Sequence, residues 1–318
     1  MPDRLRHRGR LAVALCGAAV VFLLALTPTA NAGFPGKDGR LAAVLEESGV
    51  LYCYPPDGKP GDCGWRDTIE TFRRNGSGRD QLAQRTTLYE DERLNHVAWS
   101  PDGRRIAFLW GAQPGLMRAD GSHRHLLQKG EYFGIYYSVA WAPHGRYLFL
   151  GGSSTAYEYD GIYRVRTDGT HLRRLTHGAY NDPAVSTNGE VAFGRVVHGA
   201  SWIFVLRRPG ARAKALLRGS DPDWSPDGKH LAFARDNGIW LCAASGRHCR
   251  HITHGNPDTS DFRNYDRDPA WSPSGRWLAF VRNPELYLVR PNGTGLRRVP
   301  LATTTQQTWD TPSWQPLH

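Results

Sequence analysis

The chain has 318 residues, with 40 Lys and Arg against 30 Asp and Glu, a formal net charge of +10, and 40% hydrophobic residues. That balance excludes a multi-span membrane protein, which needs repeated apolar runs of about 20 residues, and 11 Trp, 13 Tyr and 11 Phe exclude wholesale disorder. With 35 Gly, 21 Pro and only 2 Met, the composition suits a turn-rich β protein rather than a helical one.

The first element in the chain is a leader. Arg4, Arg6, Arg8 and Arg10 make a basic start, Leu11 to Leu26 an apolar run, and Ala30-Asn31-Ala32 a small-residue site. This order is that of a secretory signal peptide over residues 1–32, with cleavage expected after Ala32. An uncleaved anchor is the alternative, but a run of roughly 16 residues is short for a hydrocarbon core of ~30 Å. The protein is therefore expected to be exported, whether secreted, periplasmic or associated with the cell envelope, with no transmembrane span once the leader is gone. Four cysteines follow the leader: Cys53, Cys63, Cys242 and Cys249. An even count in an exported chain reads as disulfides. Of the possible pairings, the short, turn-rich intervals favour the local one, Cys53–Cys63 with Cys242–Cys249. No C-x-x-C pair occurs, which argues against a zinc or redox site.

From residue 33 onward one unit recurs. Trp99-Ser100-Pro101-Asp102-Gly103-Arg104-Arg105-Ile106-Ala107-Phe108 returns at Trp141, Trp224 and Trp271, in degraded form at Val185, and truncated at Trp314-Gln315-Pro316. The intervals run from 39 to 47 residues. An apolar strand leads into Pro-Asp-Gly, where Pro fixes φ and Gly tolerates φ > 0, and a second strand returns. A third strand and another glycine turn follow, as from Ile162 to Gly169 or Ile239 to Gly246. Six residues past that glycine an aliphatic residue (Leu82, Leu127, Leu175, Leu216, Ile252, Val299) marks a fourth strand. Four short strands per ~43 residues is the pattern of a propeller blade. The chain stops at Trp314-Gln315-Pro316 where Asp-Gly should come, and Lys37-Asp38-Gly39-Arg40-Leu41-Ala42 supplies it. The expectation is an all-β, six-bladed propeller of four-stranded antiparallel blades, one domain over 33–318, closed by the C-terminal strand completing the first blade.

The W-S-P-D-G-(R/K)-x-(L/I)-A-F unit resembles the TolB-type propeller repeat over nearly the whole chain after the leader. The resemblance implies the fold, and a role as scaffold, binding module or accessory domain. TolB itself carries an α/β domain ahead of its propeller, for which the repeats here leave no room.

Three residues before each repeat Trp or Val stand His96, Ser138, Asp182, Asp221, Asp268 and Thr311. If the first strand of each blade is innermost, these ring one mouth of the channel. Three carboxylates in consecutive blades could hold a divalent cation or a cationic partner group. The plainer alternative is that Asp before Pro caps a turn through nearby N–H groups. The long connection from His254 to Pro269 adds Asp261 and Tyr265 as possible ligand contacts. Tyr132 to Tyr137, with Tyr157 and Tyr159, offers aromatic surface for sugar or peptide, or simply packing between blades. His248, His251 and His254 do not read as a metal set, because on a strand His251 would face away from the other two. Basic residues on the fourth strands (His125, Arg173, Lys214, Arg250, Arg297) guard exposed edges or attract acidic polymers.

No G-x-S-x-G, H-E-x-x-H or phosphate-loop motif occurs, and no nucleic-acid recognition motif. The sequence thus favours an exported, monomeric, non-catalytic propeller without a cofactor, binding a protein, peptide or cell-envelope polymer and no nucleic acid. The rival is a metal-assisted hydrolase or lactonase-like enzyme with its site at the channel mouth.

Overall fold

The computed structural model describes residues 34–53, 61–89, 92–111, 113–127, 136–152, 160–178, 181–255, 265–282, 284–304 and 306–318. The leader lies outside the described residues, as do Asp261, the Tyr132–Ile135 stretch, Tyr157 and Tyr159, and the side chains of Cys53 and Cys63. Six sheets of four antiparallel strands form a ring, and no α-helix occurs among the described residues. No described helix is long and apolar enough to cross a membrane.

Each Pro-Asp-Gly turn is tied by its own side chains. In the second blade the Ser100 hydroxyl donates to Asp102 Oδ1 (2.5 Å) and accepts from the Arg105 N–H (2.9 Å), while Asp102 Oδ1 also takes the Arg104 N–H (3.1 Å). Gly103 completes the turn at φ 65°. Ser225 and Asp227 repeat this arrangement in the fifth blade. Ser and Asp recur in the motif because they satisfy backbone donors that a turn leaves unpaired.

The second strand of each blade reads as an unbroken apolar run because both its faces are buried between neighbours. Leu41, Ala43 and Leu45 pack towards the sixth blade with Phe72 and Trp309, whereas Ala42 and Val44 pack towards the second with Ile106 and Phe108. Six such clusters, one per blade interface, make up the core. The repeat Trp sits in these interfaces: Trp141 Nε1 donates to Ala98 O (2.8 Å) and Trp314 Nε1 to Ala270 O (3.2 Å), each in the preceding blade.

The ring closes as expected. Gln307–Leu317 pairs antiparallel with Lys37–Cys53, setting Leu41 opposite Trp314 and Ala42 opposite Ser313. The clasp reaches further: Gln315 Nε2 donates to Gly103 O (2.9 Å), and Asp38 accepts from the Ser274 N–H (2.9 Å) and hydroxyl (3.0 Å).

Two details differ from the sequence reading. In the first and fourth blades the fourth strand carries a bulge, so Ile69 faces Ala83 and Ile203 faces Leu217, and these are the buried residues rather than Leu82 and Leu216. His251 and His254 do meet, with ring centroids 4.0 Å apart, because the strand there is only Arg250–His251 and the chain turns beyond it. Cys242 and Cys249 form the expected disulfide across the third-to-fourth-strand turn of the fifth blade. The register of the first blade places Cys53 opposite Gly61 and Cys63 opposite Leu51 on adjacent strands.

Candidate functional site

The innermost strand ends at the repeat Trp, or at Val185, in five blades and runs on to Leu317 in the first, and each contains the residue three positions earlier. Five of those residues, His96, Asp182, Asp221, Asp268 and Thr311, line a single central cavity of about 160 Å³. All five hold positive φ, between 42° and 52°. Each falls in a β-bulge, where the inner strand carries an extra residue relative to its partner. A bulge re-aims the side chain it carries, and Asp and His tolerate left-handed backbone better than most residues. The proline that follows four of them, Pro183, Pro222, Pro269 and Pro312, is at home there because a bulge does not ask it for a ladder N–H.

Ser138 is the exception. In the third blade the bulge falls on Tyr137, so Ser138 stays in register opposite Gly151, buried just outside the cavity lining. Its hydroxyl accepts the Asp182 N–H (3.0 Å). Tyr265 is half-buried at the end of the long connection and does not line the cavity.

The inner strands share no ladder with one another, and side chains bridge them instead. Besides the Ser138–Asp182 bond, Asp221 accepts the Asp268 N–H, Asp223 Oδ2 the Trp271 N–H (2.7 Å), and Ser313 Oγ the Trp99 N–H (3.0 Å). The Asp-caps-backbone alternative therefore holds in part, with the capped N–H groups in the next blade rather than in the same turn.

Across the opening, His96 Nε2 lies 3.3 Å from Asp182 Oδ1, two blades away. Arg267, one residue before Asp268, pairs with Asp268 and with Asp310 Oδ1 (2.5 Å for the latter). Burial, then the neighbouring Asp182 carboxylate, push Asp221 up to about 7 against the pull of Arg267. Burial pushes Asp223 up to about 7 as well. Asp268 is raised well above the usual carboxylate range by burial and by Asp310, Asp221 and Asp182, with Arg267 opposing. Asp310 goes the other way: burial would raise it, but Arg267 and a hydrogen bond from Asp268 hold it low. Glu46, on the first blade, is raised to about 7 by burial and by Asp310, with Arg93 countering. The mouth thus concentrates more acid than the two arginines beside it neutralise.

Thr311 sharpens this picture. It is 8% exposed and lines the cavity, and its Oγ1 has no hydrogen-bond partner among the described residues. At the foot of the same cavity stands Phe34, two residues before Gly36, whose N–H bonds Pro273 O in the hairpin turn of the sixth blade. Acid therefore marks one end of the cavity and an aromatic ring the other. Among the described residues no three His, Cys, Asp or Glu side chains converge in a way that would hold a metal ion.

Arg267, Asp310, Asp223 and Glu46 were not singled out by sequence. The first two adjoin ring positions, at Asp268 and Thr311, and that adjacency was the available signal.

No protein-family model matches the chain. It is 28% identical over 164 residues to the uncharacterized protein Atu1656 of Agrobacterium fabrum; the match takes in 43% of this chain and 53% of the relative, so about half the relative's length is spanned. Among solved structures it is similar to TolB from Acinetobacter baumannii (TM-score 0.67, 17% identity, 87% of this chain and 67% of that one). It is similar too to a putative TolB from Agrobacterium tumefaciens (0.59, 15%, 88% and 100%) and to a chain of the nidogen/laminin complex (0.62, 11%, 87% and 98%). These likenesses are of fold, and the fold is that of the TolB-like six-bladed propeller.

Proposed function

We propose that this TolB-like propeller is an exported, non-catalytic binding module whose acid mouth receives a cationic group of a protein or peptide partner. The observation that carries the reading is the convergence of Asp182, Asp221 and Asp268 on a cavity where the buried Thr311 hydroxyl has no partner among the described residues. A primary ammonium brings three donors and one charge, which suits a mouth of carboxylates and a free hydroxyl acceptor. The Cys242–Cys249 disulfide supports export, since such bonds persist in oxidising compartments. That a similar propeller occurs in a complex of nidogen with laminin supports protein binding as a use of this fold.

Calorimetric titration with a short lysine-containing peptide and its fully acetylated counterpart tests the reading. The amine form should bind, the acetylated form should not, and Asp221→Asn should weaken binding at least tenfold. Because binding needs ionised carboxylates, affinity should fall as pH drops below about 7, the value to which Asp221 is raised. Equal binding of both peptides would overturn the proposal. Elemental analysis addresses the metal-assisted hydrolase reading: a stoichiometric divalent metal lost in Asp221→Asn and Asp268→Asn would put that reading in its place.

A further inference from the structure

The face opposite the acid mouth carries the reverse charge. The first-to-second and third-to-fourth strand turns emerge there, since each inner strand runs from the mouth towards that face. Between the fifth, sixth and first blades two clefts of about 660 and 650 Å³ lie side by side, sharing Arg74 and Arg276. The first adds Lys37 and Arg73, the second Arg250 and Arg290. All six of these cationic residues are exposed, and none pairs with a carboxylate among the described residues. Arg40, also in the first cleft, is already committed to Asp80 (2.8 Å), and Asp38, the acid in that lining, is occupied by Ser274.

The second cleft has a flat floor. The guanidiniums of Arg74, Arg290 and Arg297 lie 5.9, 5.3 and 5.1 Å from the Trp277 ring centroid. Stacking on an indole holds a guanidinium in place by its face and leaves its N–H edge free for an acceptor. Charges crowded in this way repel one another unless an anion joins them. Elsewhere on the propeller comparable arginines are answered, as Arg207 is by Glu190 and Arg298 by Glu285. Basic charge on outer strands that merely guards an edge would be spread round the ring, as His125, Arg173 and Lys214 are. Here it is gathered into two joined concavities.

We infer that these clefts form a second binding site, for a soluble linear polymer bearing phosphate groups, with successive phosphates held by the Arg74–Arg276 pair and by the arginines on either side. Guanidinium and phosphate meet through paired N–H···O bonds, and backbone-following basic grooves bind such chains without reading sequence. Concavity selects the polymer over a membrane: an extended chain can enter the clefts, whereas a plane of headgroups touches only their rims. The site is independent of the acid mouth.

The test uses the purified full chain and fluorescently labelled inorganic polyphosphate, read by anisotropy across a salt series. Binding should weaken with salt at a log–log slope of about −0.7 for each phosphate held, hence about −1.4 or steeper for two or more. Arg74→Ala with Arg276→Ala should weaken it on the order of a hundredfold, about tenfold for each arginine–phosphate bond removed. Arg212→Ala with Lys214→Ala, which removes the same charge from the fourth blade, should change it less than threefold, and Asp221→Asn should not weaken it. A matching thermal melt shows that each variant is folded. Equal losses in the two double variants would reduce the effect to net charge and overturn the site, as would undiminished binding by the first. Vesicles rich in phosphatidylglycerol should bind weakly and compete poorly. If they bind and polyphosphate does not, the clefts face a membrane and the polymer reading is wrong.

Discussion

Replacing Asp221 by Asn should make the protein more stable at neutral and alkaline pH, and only there. Unfolded, this carboxyl releases its proton near the ordinary 3.8; folded, burial and Asp182 hold the proton until about 7. Between those values the native state carries the extra proton, so stability falls as pH rises through the window and stays lowered above it. A shift of about 3 units at ~1.4 kcal/mol each sets a ceiling of about 4 kcal/mol. Water in the open mouth screens the charge, and Asp268, Asp310, Arg267 and His96 share the repulsion and its relief, which brings the expected penalty to about 1–2 kcal/mol. Asn carries no charge, tolerates the φ of 51° found here, and can keep the bond from the Ser220 hydroxyl (3.2 Å). Urea unfolding of both proteins at pH 4 and pH 8, followed by tryptophan fluorescence, should show the variant gaining about 1–2 kcal/mol over the parent at pH 8 relative to pH 4. A gap of the same size at both pH values, or a loss at pH 8, would refute the reasoning. The gain would also show that the mouth is kept acidic at a cost to stability, as binding sites often are.

Two further outcomes concern the clasp of the ring and the disulfide of the fifth blade. A chain stopped after Gln306 loses the inner strand of the first blade with the buried Trp309 and Trp314, and its near-UV circular dichroism melt should lose cooperativity; a sharp transition like the parent's would show the clasp to be dispensable. Cys249→Ser opens the small loop closed by the Cys242–Cys249 bond, and should cost about 2.5 kcal/mol and lower the melting temperature on the order of 5 °C. An unchanged melting temperature would remove the staple from the account.

The blades were legible because their signals are local. Trp-Ser-Pro-Asp-Gly encodes a turn whose donors Ser100 and Asp102 satisfy within five residues, so the hairpin needs no distant partner to be recognised. Ring closure was legible for a related reason: half a unit at each end can be completed only by the other. The positions at the mouth were legible as a set, because their spacing to the repeat Trp is constant. Their conformation was not. A bulge is a disagreement between two strands in length, and nothing in Asp182-Pro183 alone says that its partner strand is one residue shorter there. The same blindness hid the bulges at Ala83 and Leu217 and the one-residue slip that turns Ser138 away. Arg267 and Asp310 were missed because residues adjacent along one strand, as Arg267 and Asp268 or Asp310 and Thr311 are, point to opposite faces in a regular ladder. The bulges bring Arg267, Asp268 and Asp310 to one side.

The repeat sets which end of each blade a residue faces, and so which face of the wheel its charge joins. Every inner strand runs in the same sense, so whatever stands three residues before the Trp appears at the mouth, and whatever follows the turn glycines appears on the far side. Acid at the first position in the fourth to sixth blades gives an acidic hub on one face, and the arginines gathered near the far-side turns of the fifth, sixth and first blades give a basic trough on the other. The blades between them are packed through six contiguous apolar clusters, and no charged network among the described residues joins hub and trough. Sites so placed, with no shared partner, should act additively. Occupation of the mouth by a cationic peptide should therefore leave the affinity of the trough for polyphosphate unchanged. One chain could then hold a cationic protein segment and an anionic polymer together, each kept from the other's site by charge.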